Sequence, residues 1–176
     1  TQRGDLEHSI FDDHVHVPLL FAGYNIPKNK IIDQLVRSID IFPTLSGLVN
    51  LSQTIGDVDG RSLEPFMNGN ILDELPAYVE STPLMQIKTQ DVIGIRTSHY
   101  KYFRDKENPE KRIFLYDIQN DPFEDNNIAN KNLQLVKDME NILQDILKSK
   151  SNYYLTEFNE EETKIIEDEL KRLGYV

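Results

Sequence analysis

The chain has 176 residues and a formal net charge of −11; 28% of its residues are charged, 39% are hydrophobic, and there is no cysteine. That length holds one core-forming domain with a small appendage, while the acidity excludes a general nucleic-acid or anionic-membrane binder, since both need clustered Lys and Arg. The lack of cysteine excludes disulfides and thiolate metal sites within the chain, and no apolar run approaches the length of a membrane span.

Residues 15–23, Val-His-Val-Pro-Leu-Leu-Phe-Ala-Gly, form a mostly apolar run. Such a run suits a strand buried on both faces of a mixed or parallel sheet, with Pro18 near its start. Turn chemistry follows over 25–30. The spacing of Ile39, Phe42, Leu45 and Leu48/Val49 predicts a helix capped by Ser38 or Asp40. Pro43 then falls in the first turn, where its missing N–H costs nothing. A polar loop covers 52–61, and 62–67 reads as a short helical turn.

Four strands are predicted at 77–81, 92–97, 99–103 and 112–117, with a hairpin link over 105–111. Their close spacing implies an antiparallel meander. The period then turns helical, with Leu135/Val136, Met139, Ile142/Leu143 and Ile146/Leu147 in one stripe over 132–149. A last helix is expected over about 160–173, opened by the capping pair Asn159/Glu162 and closed by Gly174.

Four stretches of the chain stand out together. The first is His8-Ser9-Ile10-Phe11-Asp12 followed by His16-Val17-Pro18-Leu19-Leu20-Phe21. The second is Ser38-Ile39-Asp40-Ile41-Phe42-Pro43-Thr44-Leu45, and the third Asp59-Gly60-Arg61-Ser62-Leu63. The fourth joins Arg96-Thr97-Ser98-His99-Tyr100-Lys101-Tyr102 to Leu115-Tyr116-Asp117, Asp121-Pro122, Glu124 and Asn127. In this order they resemble the C-terminal portion of the sulfatases, a family of the alkaline phosphatase superfamily, across roughly residues 4–147.

The resemblance implies an α/β fold of which this chain is the end, itself α+β. Residues 1–76 would close the α/β catalytic domain, 77–149 would form an antiparallel sheet packed on a helix, and 150–176 a helical tail. Thr1 is then expected to be an internal residue of a longer protein. The family hydrolyses sulfate esters with a formylglycine nucleophile, made within Cys/Ser-x-Pro/Ala-x-Arg, and a divalent metal, usually calcium, held by oxygen and imidazole ligands. Neither motif occurs in this sequence, so both are expected upstream of Thr1 and the segment alone is expected to be inactive. The partner implied is a small-molecule or glycan sulfate ester, with no nucleic acid and no membrane; the expected location is soluble, with the cytoplasm preferred.

His8 is the one catalytic candidate, because it matches the position where the family carries a Lys or His that reaches the sulfate. Glu7 stands where many members read Lys, which keeps open a phosphodiesterase or phosphonate monoester hydrolase of the same superfamily. A third reading is a catalytically silent binding or scaffold domain. An exposed apolar face would argue against that reading, and for truncation or self-association through an exposed sheet edge. Other acidic and basic residues have plainer readings. Asp12 and Asp13 suit a solvated cap better than a metal site, and His14 and His16, on one face of the expected strand, lack a third ligand nearby. Arg96, Tyr100 and Lys101 read as structural strand residues. Asp117, Asp121 and Glu124 lack the glycine and spacing of a calcium loop.

Overall fold

The computed structural model describes residues 10–23, 25–51, 58–81 and 91–151. The chain divides into two compact units, Thr1–Glu140 and Asn141–Val176. The first holds a four-stranded antiparallel sheet in the order β1-β2-β3-β4, made of β1 (Ala77–Ser81), β2 (Val92–Arg96), β3 (Tyr100–Asp105) and β4 (Phe114–Asp117). This is the predicted meander. Alternation assigns its faces: Gly94 pairs with Phe103, Arg96 with Lys101, and Phe103 with Phe114, so these residues share one face. Tyr102, Arg104, Ile95 and Leu115 point to the other.

On the first face Ile10 and Phe11 pack with Val92, Phe103, Tyr116 and Ile118 in a buried cluster. Phe11 meets Phe103 edge-on at 5.7 Å and Tyr116 at 6.0 Å, while Phe103 stacks on Phe114 at 4.8 Å. Gly94 is required here, since a Cβ would overlap the Tyr102 carbonyl and Phe103. On the second face Arg104 and the Tyr102 hydroxyl both donate to Glu140.

Among the described residues, three short helices precede the sheet: α1 (Asp12–Val15), α2 (Ile41–Leu48) and α3 (Glu64–Met67). A 3-10 turn, Ser38–Asp40, leads into α2, and Pro43 occupies its first turn as predicted. The apolar stripe that announces α2 is its exposed face, with Phe42 56% accessible, whereas Thr44 and Ser46 are buried. The strand expected over 15–23 is not formed. The chain leaves α1 on an irregular path, with Val17 71% and Leu20 87% exposed. A ladder needs a neighbour, and among the described residues no strand lies beside this run; Pro18 also has no N–H to offer.

Helix α4 (Leu133–Ser151) follows β4 where the stripe predicts it, with Met139 and Leu143 as its buried positions. The helix expected over 160–173 lies outside the described residues, as do residues 52–57 of the polar loop.

Candidate functional site

Register brings two cations side by side. Arg96 and Lys101 are cross-strand partners of β2 and β3, a pairing that repels unless an acid intervenes. The acid is Asp12. Its Oδ1 accepts from Lys101 Nζ at 2.8 Å, and its Oδ2 accepts from Arg96 Nη2 at 2.8 Å and Nε at 3.2 Å. Glu124 completes the group, lying 3.1 Å from Lys101 Nζ and accepting the Asp12 backbone N–H at 2.6 Å. The Lys101 side chain is fully buried. Two carboxylates therefore balance two cations in an enclosed quartet.

The electrostatics are uneven. Burial pushes the Asp12 carboxyl up, but hydrogen bonds from Arg96 and Lys101 outweigh it and hold the group below its ordinary 3.8. Burial wins at Glu124, raising it above its ordinary 4.5 despite the Asp12 N–H and Lys101. Glu124 also adopts a left-handed backbone, φ 52°, a conformation that costs a non-glycine residue of order 1 kcal/mol. The cluster holds it there.

The other motif residues form a second clasp. Asp40 accepts from the Arg37 side chain and backbone and from the Arg61 N–H at 3.0 Å. Burial raises its pKa, yet these donors win and hold it below 3.8. Thr44 Oγ1 accepts the Leu63 N–H at 2.8 Å, and a Cβ on Gly60 would overlap the Ile39 carbonyl. The stretches 38–45 and 59–63 thus fasten to one another. In the last motif Asp117 and Asp121 accept backbone N–H groups of their own turns. Asn127 bridges Leu115 N–H and the Ile113 carbonyl.

His8 lies outside the described residues. Asp12 is no solvated cap: it is the centre of the quartet, accepting from both Arg96 and Lys101. Asp13 is exposed and meets His14 at 2.8 Å, while His16 stands 3.8 Å from Asp12. The two histidines do not share a strand face, because α1 takes the place of the strand's start. Arg96 and Lys101 are structural, and Tyr100 closes the β2–β3 turn through its N–H to Thr97 Oγ1. What the sequence did not reveal is the identity of the shared acid, 84 and 89 residues away from its cations.

An open cavity of about 550 Å³ adjoins Arg96, with Leu19, Leu20, Ile31, Phe66 and Lys30 in its wall. All three Arg96 nitrogens already donate, Nη1 to the Thr97 carbonyl at 2.6 Å. Both cations of the quartet are thus paired with carboxylates. Among the described residues no group of three or more His, Asp or Glu could hold a metal ion. What the arrangement can do is fasten the chain at Asp12 to the sheet and to Glu124.

Residues 7–152 match the family described as N-sulphoglucosamine sulphohydrolase, C-terminal. Arylsulfatase K of Gallus gallus is 28% identical over 145 residues, covering 79% of this chain and 27% of its own. An endo-4-O-sulfatase of Bacteroides thetaiotaomicron is 26% identical over 162 residues, covering 81% and 32%. Among solved structures, a Bacteroides fragilis protein provisionally described as a sulfatase superposes with a TM-score of 0.52 at 26% identity, covering 62% of this chain and 24% of that one. A 2-O GAG sulfatase gives 0.52 at 25%, covering 67% and 26%. The chain spans about a quarter to a third of the length of these relatives.

Proposed function

Because the chain belongs to the sulfatase family, as its C-terminal portion, we propose that the protein of which it is part hydrolyses sulfate esters. The observation that carries this reading is the match over residues 7–152. The exposed Val17, Leu20 and Ile31 support a chain that completes a larger domain and argue against a free-standing scaffold module. The proposed division follows: 1–76 closes the α/β catalytic domain, 77–149 is the C-terminal subdomain and 150–176 a helical tail.

The nucleophile, a formylglycine, and the divalent metal, calcium in this reading, would come from residues outside this sequence, which holds no cysteine. When bound, such a metal would neutralise developing charge on the sulfate oxygens. The residues in hand have other tasks. The quartet and the Asp40 clasp hold the chain rigid, and His8 contacts the substrate sulfate. Sulfated glycans are the proposed substrates, since relatives include an endo-4-O-sulfatase and a 2-O GAG sulfatase. No described helix is long and apolar enough to cross a membrane.

The test is release of inorganic sulfate by the full-length protein from aryl sulfates and sulfated disaccharides, beside a phosphodiester and a phosphonate monoester. Sulfate release should dominate, and His8→Ala should lower kcat/KM by about 10²-fold, as lost contacts to developing charge do. Preference for the phosphorus esters would overturn the sulfatase reading in favour of its superfamily alternative.

A further inference from the structure

The segment between α3 and β1 carries a reactive dipeptide. Asn68-Gly69 is the only asparagine followed by glycine in the 176 residues, and both residues are exposed. They close α3 in a Schellman turn. The Gly69 N–H donates to the Phe66 carbonyl at 3.1 Å and the Asn70 N–H to the Pro65 carbonyl at 2.9 Å, with Gly69 left-handed at φ 91°. Glycine suits that φ because it has no Cβ to clash. The same lack of a side chain leaves the Gly69 nitrogen unshielded beside the Asn68 amide.

Such a pair cyclises with water as its only co-reactant. The Gly69 nitrogen gives up its proton and attacks Asn68 Cγ; the new C–N bond closes a five-membered succinimide, and the side-chain nitrogen leaves as ammonia. Water then opens the ring. Cleavage of the Cγ–N bond gives aspartate, and cleavage at the backbone carbonyl gives isoaspartate, whose main chain runs through Cβ and Cγ. Two features of the fold oppose ring closure: the Gly69 N–H is engaged by Phe66, and Asn68 must rotate away from its ψ of 1°. Both yield when the turn frays, and α3 is a single four-residue turn ending in solvent, the kind of element that opens locally at low cost.

The surroundings give the change a consequence. Three side chains hold this segment by its carbonyls: Lys30 donates to Met67 at 3.4 Å, Gln34 to Leu72 at 2.5 Å and Arg61 to Asp73 at 2.5 Å. Isoaspartate inserts a methylene into the backbone inside that strap, so the Gly69 and Asn70 N–H groups cannot both keep their partners in α3. We propose that Asn68 is a site of covalent modification, converted through a succinimide to aspartate and isoaspartate, and that the isoaspartate form loosens the strap over residues 67–73. Phe66, Met67 and Lys30 belong to the wall of the open cavity, so the loosening falls on one side of it. The inference stands apart from the sulfatase reading and from His8.

The experiment ages the folded full-length protein at mildly alkaline pH, beside Asn68→Gln and Asn68→Asp. Peptide mass spectrometry locates each amide-to-acid change, an isoaspartate-specific methyltransferase counts the isomer, and amide hydrogen exchange is followed over residues 69–73. Asn68 should convert about tenfold or more faster than Asn70 and Asn126, since the residues after those two carry side chains that shield the attacking nitrogen. Asn68→Gln, which would have to close a six-membered ring, should stay unmodified at this position. Exchange over 69–73 should quicken in aged wild type, and neither in aged Asn68→Gln nor in fresh Asn68→Asp, which adds the charge without the methylene. Conversion of Asn68 no faster than that of Asn70 overturns the proposal, because the Phe66 carbonyl would then hold the turn shut. Conversion with unchanged exchange, or exchange equally fast in fresh Asn68→Asp, overturns the loosening by isoaspartate.

Discussion

At the scale of single residues, the carboxylates of Asp12, Asp40 and Glu124 pull stability in different directions with pH. Asp12 and Asp40 are held below 3.8, so the folded state binds their protons less readily than the unfolded chain. Their contribution is present above pH 3.8 and disappears as pH falls through their folded values. Glu124 is raised above 4.5, so its sign is opposite: stability declines as pH rises from 4.5 through its folded value. Glu124→Gln keeps an acceptor for the Asp12 N–H but cannot ionise. Relative to wild type, the urea midpoint of this variant should therefore rise with pH above 4.5, while its acid limb below pH 4 stays where it was. A constant difference between the two midpoints across that range would refute the account of Glu124.

Elements show why much of the fold could be read from sequence and some could not. The strands at 77–81 and 92–96 and the helix α4 follow from alternation and from a 3.6-residue stripe, both local signals. The run 15–23 carries an equally strong apolar signal, yet strand formation depends on a neighbour that the run itself does not encode. The α2 stripe gave the helix correctly but not its burial, because a period marks a face without naming what covers it. The Asp40 clasp was visible only as two motifs of unexplained spacing, and the structure supplies the reason: a turn whose Gly60 must pass against the Ile39 carbonyl. Gly60→Ala should accordingly destabilise the protein by about 1–3 kcal/mol, the usual range for overpacking, measured by urea unfolding. A cost below a few tenths would mean that the turn relaxes freely and the clasp is loose.

For the whole molecule, the motifs that identify the family proved to be fastenings. Asp12, Asp40, Gly60, Glu124 and Asn127 hold segments of the chain to one another, and none of them presents a free charge to a ligand. The sequence could reveal that these residues belong to a sulfatase; it could not reveal which acid serves Arg96 and Lys101, since Asp12 lies 84 and 89 positions from them. The division of labour proposed is specific: this chain would brace the site and supply His8, while the nucleophile and metal would come from elsewhere. The most direct measurement is sulfate release from an aryl sulfate by the full-length protein and, in parallel, by residues 1–176 alone. The account predicts turnover by the first and none by the second. Turnover by the 176-residue chain alone would contradict it, because a chain without cysteine or a described metal site would then be doing the chemistry itself.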